Sequence, residues 1–386
     1  MGSYSNIFDF DKPTSLVEFR KYGGSSFSPL ENTKQIAIDI STAVKNGVKQ
    51  VIYCSAPSNL SESLKSMAYE INPQLRNSAV DSLVTGSDAV GSFLLQHSLQ
   101  SHNLKVKVLN GMNNGIFTDN VVGGANVLQV KANEITSNLE HVDVLIIPGG
   151  QGSDHKSITW LGKNSSDLSC ILQTIATQQD HCSIYSDVDS VFNVDPNVYK
   201  DATPYRELDY DTVITAAKLG AKVLHFNAVA LAKNNGVEIV CKLNKAPFNE
   251  GTRIGNYRSG TIIVTDKKAQ LIVVNHKNVV KNESMAKNKS VILEFLASNN
   301  IFAVSDQAIG ILKDNQILIP MAYVDYISEL KEKFHDEIRS GQSITALHVV
   351  SGEKVINSTF IEEHEMEERV AELYQEHIKK EVSEYV

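Results

Sequence analysis

Short apolar runs that break directly into glycine, serine or proline recur along the first two-thirds of this 386-residue chain. Val17–Lys21 leads into Gly23-Gly24-Ser25-Ser26, and Gln50–Cys54 into Ser55-Ala56-Pro57-Ser58. Val142–Ile147 leads into Pro148-Gly149-Gly150-Gln151-Gly152, and Ser183–Tyr185 into Ser186-Asp187. Lys105–Leu109 and Glu238–Leu243 are further apolar strands, with helical stretches between strands at Glu31–Lys45, Asp167–Thr177 and Asp211–Leu219. This alternation predicts an α/β domain around a largely parallel sheet. Such sheets hold ligands beyond the carboxyl ends of their strands, where these small and polar residues fall.

The pattern changes near Gly251. Beyond it the sequence predicts strands at Ala269–Asn275, Ile301–Ser305, Ile317–Pro320 and Ile344–Val350, with helices at Ser290–Asn299 and Val324–Ile338. A last helix from Glu362 to about Lys380 carries a solvated face of glutamates. This order predicts a small α+β module. The expected division is an N-terminal extension at 1–15 without a role, an α/β domain at 16–260 and the α+β domain at 267–386. A net charge of −9 argues against broad electrostatic binding of nucleic acid or of an anionic membrane. No apolar run approaches the roughly 18 residues of a membrane span. The four cysteines form no CxxC pair and read as reduced core thiols of a cytoplasmic protein.

Four segments carry candidate chemistry. In Lys21-Tyr22-Gly23-Gly24-Ser25-Ser26 the glycines admit phosphate oxygens and Lys21 supplies a charge, although such a run is also an ordinary turn. Its lysine precedes the glycines, so it is not a Walker loop. Ser55 and Ser61 offer hydroxyls to a carboxylate, or cap the helix that begins near Ser61. Gly149–Gly152, followed by Leu161-Gly162-Lys163-Asn164-Ser165-Ser166-Asp167, suits an anionic ligand, with Asp167 either a helix cap or an organising carboxylate. Tyr185–Pro196 holds three aspartates but lacks the glycine and closing glutamate of a calcium loop, and a nucleotide-binding loop explains it better.

Taken in order, these segments resemble the aspartate kinases of the amino-acid kinase superfamily. The family's Lys-Phe-Gly-Gly-Thr-Ser stands at Lys21–Ser26, and its Thr-Asp-Val-Asp-Gly-Val/Ile-Tyr-x-x-Asp-Pro at Ser186–Pro196. Gly-Ala-Lys-Val-Leu-His stands at Gly220–His225, and a closing Gly-Thr at Gly251-Thr252. The resemblance covers residues 16–256. It implies the amino-acid kinase fold followed by an ACT-like regulatory or dimerisation domain whose second ACT unit is truncated. It further implies ATP-dependent phosphorylation of the side-chain carboxylate of L-aspartate, giving 4-phospho-L-aspartate, in a cytoplasmic homodimer or higher homo-oligomer. Lys21 would then meet the transferred phosphoryl group, Lys222 the ATP phosphates, and Asp167 would organise the lysines. Gly23, Gly24, Ser186, Asp187 and Phe192 would lie along the nucleotide, and Ser55, Ser61, Gly150 and Lys163 along the amino acid. Mg2+ is implied as the ATP counter-ion, with no dedicated metal cage. The acceptor carboxylate is already ionised at neutral pH and needs no general base.

The departures fall mainly on the substrate side. The family's Gly-Arg-Gly-Gly-Ser-Asp reads Gly162-Lys163-Asn164-Ser165-Ser166-Asp167, and a lysine cannot form the bidentate fork of an arginine. Its Thr-Gly-Glu reads Thr85-Gly86-Ser87; Asp88 next door is a candidate substitute, although adjacent residues on a helix point in different directions. Its Gly-Phe-x-Gly reads Gly149–Gly152, and the arginine after Asp-Pro is Asn197. Residues 276–288 lack the glycine expected of an effector loop. Another small carboxylate as acceptor, or a non-catalytic relative, is the alternative.

Overall fold

A computed structural model of the chain describes residues 7–72, 78–221, 223–274, 289–296, 303, 312, 315–321, 327–334 and 338–379. The chain forms two compact units, residues 1–191 with 227–256, and residues 192–226 with 257–386.

The first unit contains strands β1 (Phe8–Asp9), β2 (Val17–Tyr22), β3 (Lys49–Cys54), β4 (Val106–Val108), β5 (Ile116–Thr118) and β6 (Val127–Lys131). It continues with β7 (Val144–Pro148), β8 (Gln151–Ser153), β9 (Ile158–Trp160) and β10 (His181–Ser186). Its helices are α1 (Leu30–Lys45), α2 (Leu60–Ile71), α3 (Ser78–Gln100), α4 (Asn133–Leu139) and α5 (Ser166–Ala176). The second unit takes β11 (Glu207–Asp209) and α6 (Tyr210–Lys218), after which α7 (Phe226–Asn235), β12 (Glu238–Leu243) and β13 (Glu250–Gly255) return the chain to the first.

Seven strands of the first unit lie in the order β13-β12-β10-β2-β3-β7-β4, parallel except for β13 at one side. The centre is buried on both faces, as the unbroken apolar runs of β3 and β7 require. Ile36, Ala37 and Ile40 of α1 and Leu95 and Leu99 of α3 join Tyr22, Ile52 and Ile146 in one core cluster. Tyr22 pairs with both Cys54 and Tyr185, Cys54 with Pro148, and Ser186 with Leu243, so five strands end level. From β2 the chain builds outward to β3 and β7 on one side, then crosses to β10 and β12 on the other. The Gly23-Gly24 turn therefore opens at the switch point of the sheet, the usual place for a ligand.

A second sheet of the first unit runs β1-β6-β5-β8-β9. Phe8 and Asp9 lie in the stretch expected to be an extension, yet they pair with Val130 and Lys131. The short strands β5, β6, β8 and β9 are absent from the sequence reading, and the long helix α3 enters it only as a helix around Ser87 and Asp88, without bounds. Two- to five-residue strands and a helix dotted with glycine and serine leave little periodicity to detect.

The second unit holds a four-stranded antiparallel sheet, β15-β14-β16-β17, with β14 (Thr261–Val274), β15 (Gln316–Ile319), β16 (Ile338–Ser351) and β17 (Lys354–Ile361). Helices at residues 289–296 and Ile327–Lys333 bury Ile292, Leu296, Ile327 and Leu330 against Ile272, Ile317 and Ile319. This is the small α+β, ACT-like domain expected from the sequence, with several corrections. β14 starts eight residues before Ala269, Ile338 opens a strand rather than closing a helix, and β17 was not anticipated. Of the expected strand at 301–305 only residue 303 is described, and it is not in a strand, while the loop at 276–288 lies outside the described residues. The terminal helix keeps its glutamates outward but buries Met366, Val370 and Leu373 on Val194, Ile263, Leu347 and Val349.

Candidate active site

The level carboxyl ends of the parallel strands bring four of the sequence-marked loops of the first unit together. Lys21, near the end of β2, is half-buried, and its Nζ lies 2.8 Å from Oδ1 of Asp167. Asp167 is the second residue of α5 and is buried; it is not the cap, a position held by Ser165. The ion pair ties the first strand to the start of a helix almost 150 positions later in sequence.

The turn after β2 is held close to the loop after β3. Gly23 N–H donates to Tyr185 O at 3.1 Å, and a Cβ on Gly24 would stand 2.6 Å from Ala56 O, so no side chain fits there. Gly24–Phe27 forms one 3-10 turn, which leaves the N–H groups of Gly24 and Ser25 without a carbonyl inside the turn. Such N–H groups beside a lysine suit phosphate oxygens.

Asn244, directly after β12, was missed in the sequence. It is fully buried and locks the turn to the end of β10. With its amide oriented to satisfy its neighbours, its oxygen accepts from Ser25 Oγ (2.8 Å) and Ser26 Oγ (3.1 Å), and its nitrogen donates to Ser186 O (3.2 Å). The one available signal was its place immediately after an apolar strand, the same context as the other loops.

Gly149 and Gly150 follow β7. Gly150 has φ +68° and its N–H donates to Ser169 Oγ, while a Cβ would meet Ser165 Oγ at 2.7 Å. The glycine where the family carries an aromatic thus lets α5 approach. Ser55 Oγ donates to Ser166 Oγ at 3.0 Å. Gln151 turns away, donating to Thr85 O and accepting from Gly111 N–H.

Two adjacent residues of α3 divide the place of the missing glutamate. Ser87 is fully buried and shares a 2.8 Å hydrogen bond with Ser61, which lies inside α2 and is not its cap, a position held by Asn59. Asp88 points to the site instead: its Oδ1 accepts from Ala56 N–H at 2.7 Å, and its Oδ2 lies 3.8 Å from the Cβ position of Gly150. Burial raises its pKa to about 7, against the opposing pull of the Ala56 N–H and the Lys21 charge. Lys163 stands outside this group, more than a third exposed, with Nζ 3.8 Å from Glu62 Oε1.

Of the nucleotide-side residues, Ser186 is half-buried and hydrogen-bonds Val188, and Asp187 is exposed. Thr252 Oγ1 accepts from Val191 N–H at 2.8 Å, and a Cβ on Gly251 would collide with Asp189 O, so the Gly-Thr pair shapes this loop. Phe192 belongs to the second unit and its backbone bridges Pro204. Lys222 lies outside the described residues.

The first unit is thus an α/β domain with a lysine–carboxylate pair among glycine turns at the carboxyl edge of its parallel strands. The amino acid kinase family profile matches residues 20–242, and the chain belongs to that family. An aspartokinase of Bacillus sp. (strain MGA3) is 32% identical over 61% of this chain and 57% of its own length. An aspartokinase of Helicobacter pylori (strain J99 / ATCC 700824) is 30% identical over 62% of this chain and 59% of its own. The chain thus spans less than two-thirds of the length of these relatives. The crystal structure of E. coli aspartokinase III with lysine and aspartate superposes at a TM-score of 0.66, with 16% identity, over 94% of this chain and 99% of that one. The same enzyme with aspartate and ADP gives 0.62 and 17%, over 86% and 87%. At this identity the likeness is one of fold.

Proposed function

We propose that the protein transfers the γ-phosphoryl group of ATP to the side-chain carboxylate of L-aspartate. The Lys21–Asp167 ion pair carries this reading, because it fixes an ammonium between the glycine turn of β2 and the start of α5. An oxygen of the acceptor carboxylate attacks the γ-phosphorus, the bond to the bridging oxygen breaks, and ADP departs with that oxygen. Charge spreads over the phosphoryl oxygens in the transition state, and a fixed cation stabilises it without reorganising. Lys21 is assigned to that role, Asp167 holds it in place, and the turn at Gly23 and Gly24 cradles phosphate oxygens. By resemblance Lys222 binds the ATP phosphates, and Ser186, Asp187 and Phe192 follow the nucleotide.

On the acceptor side, Ser55, Ser61 and Gly150 flank the amino acid and Asp88 receives its ammonium group. The reach of Asp88 into the site supports this assignment and makes up for Ser87. Lys163 offers the α-carboxylate a point charge in place of a fork. Mg2+ would neutralise the ATP phosphates and travel with them. Among the described residues no group of three or more His, Cys, Asp or Glu side chains is placed to hold a metal.

The reading includes a homodimer or higher homo-oligomer in the cytoplasm. Among the described residues no helix is long and apolar enough to cross a membrane. Incubation with ATP, Mg2+ and a panel of amino acids, with acyl phosphate trapped as hydroxamate, tests the activity. Product with aspartate supports the proposal. Product only with another acid moves the assignment to that acid, and nucleotide binding with no acyl phosphate from any acid identifies a non-catalytic relative.

A further inference from the structure

Helix α3 grips the rest of the first unit at three points along one face. Asp81, Thr85 and Asp88 follow one another at the four- and three-residue steps that bring helical positions into line, roughly 10 Å along the axis from first to last. Asp88 Oδ1 accepts from Ala56 N–H, and Thr85 O accepts from Gln151 Nε2. Asp81, at the other end of the row, is buried, and its Oδ2 accepts from Gly123 N–H at 2.8 Å. An acid in the first turn suits the helix dipole, but this one also closes on a backbone amide 42 positions away.

Gly123 belongs to the turn between β5 and β6, residues 119–126. Asp119 stiffens that turn from within: its N–H donates to Asn126 O, and its carboxylate accepts from Val121 N–H, Asn126 N–H and Asn126 Nδ2. The far side of the turn is tied to the end of β9, where Ala125 N–H donates to Trp160 O at 2.8 Å. Leu161 N–H in turn donates to Gly150 O at 2.9 Å. Trp160 is buried, and its Cδ1 and Asp88 Oδ2 each lie 3.8 Å from the Cβ position of Gly150. Two routes therefore run from α3 to Gly150, one directly through Asp88 and one through Asp81, the turn and Trp160. A charged acceptor on a backbone amide is among the stronger hydrogen bonds, and losing it frees the turn at one end while β5–β6 and β8–β9 stay paired.

We infer that Asp81 is a positioning residue for the amino-acid substrate: by holding the 119–126 turn, it keeps Trp160 and Leu161 against Gly150. The inference rests on the reading of Gly150 and Asp88 as substrate-side residues and extends it to a carboxylate that does not itself touch the substrate.

The test reads the fluorescence of Trp160, the only tryptophan of the chain, together with KM for aspartate and for ATP, in Asp81→Ala and Asp81→Asn. In Asp81→Ala the emission should move to longer wavelength as Trp160 meets water. KM for aspartate should rise about tenfold, as expected of a loosened substrate wall, with KM for ATP held within about twofold. Asp81→Asn keeps an oxygen that accepts from Gly123 N–H, and should recover the wild-type emission and most of the affinity. Should Asp81→Ala fail to fold, Asp119→Ala releases the same turn from its own side chain and should raise KM for aspartate about threefold. Folded Asp81→Ala with unchanged emission, or with shifted emission and an unchanged KM for aspartate, would overturn the inference, as would equal losses of ATP and aspartate affinity. If the wild type uses another acid instead, KM for that acid takes the place of KM for aspartate. A wild type that makes no acyl phosphate from any acid removes the kinase reading alone, and the emission of Trp160 still decides whether Asp81 holds the turn.

Discussion

Lys21 Nζ and Asp167 Oδ1 stand 2.8 Å apart at the carboxyl edge of the sheet, each largely withdrawn from water. Replacing Lys21 by alanine leaves the carboxylate there without its cation and the transferred group without a fixed charge. The expected result is a fall in kcat on the order of 10²–10³-fold, with a circular dichroism spectrum like that of the wild type. Turnover within tenfold of wild type would take Lys21 out of the mechanism.

The buried carboxyl of Asp88 supplies a pH dependence. Its pKa is raised to about 7, so below that value the empty site holds a neutral carboxyl that cannot pair with an ammonium group. Above it the carboxylate is available. KM for aspartate should therefore rise as pH falls from 8 to 6, by at most about tenfold per unit. Asp88→Asn should raise KM and flatten the profile. The same raised pKa means that the folded empty protein favours the protonated form and loses stability as pH climbs from about 4 towards 7. Asp88→Asn should accordingly raise Tm more at pH 8 than at pH 5. A pH-independent KM in the wild type would refute the ammonium-binding role.

Gly24 is required for closeness. Alanine there meets the Ala56 carbonyl at 2.6 Å, and neither piece of backbone can swing aside as a flexible side chain would. Gly24→Ala should cost about 1–3 kcal/mol of stability, in the range of strained or overpacked sites, and displace the turn. Chemical denaturation and steady-state rates measure the two effects, and an unchanged kcat/KM for ATP would argue against a phosphate-cradling turn.

Asn244→Ala strands the hydroxyls of Ser25 and Ser26, which the buried amide now engages. The loss should be about 1–3 kcal/mol. Because those serines belong to the glycine turn, KM for ATP should rise together with the fall in Tm. Loss of stability with an unaltered KM for ATP would make Asn244 a structural support only.

Much of the first unit was legible because its signals are local: an apolar strand followed at once by glycine, serine or a lone charge marks both the strand and the loop. Parallel strands buried on both faces, such as Lys49–Cys54 and Val144–Pro148, are continuous apolar runs and are hard to miss. The side-chain directions that decide the acceptor side were not local. Whether Ser87 or Asp88 faces the reacting group depends on the roll of α3 against β3, which one residue of sequence offset does not reveal. Asn244 was passed over for a related reason: its place after an apolar strand marks a loop, but its partners lie more than 200 positions away at Ser25 and Ser26. In the second unit, β17 carries Asn357, Ser358 and Thr359 in its middle and lacks the alternation that would have announced it.

Residues 192–226 fold with the C-terminal sheet although they lie inside the stretch that the family profile spans. Cutting the chain after Asn256 would thus separate this middle passage from the strands on which it rests. Recombination at that point, in the laboratory or in evolution, would not exchange one self-sufficient module for another. A transplanted C-terminal half would have to bring surfaces matched to Tyr205, whose hydroxyl bonds both backbone groups of Thr261, and to Thr215, whose hydroxyl donates to Gly352 O. The heritable part here is an interleaved pair, and changes on either side of residue 256 are expected to be selected together.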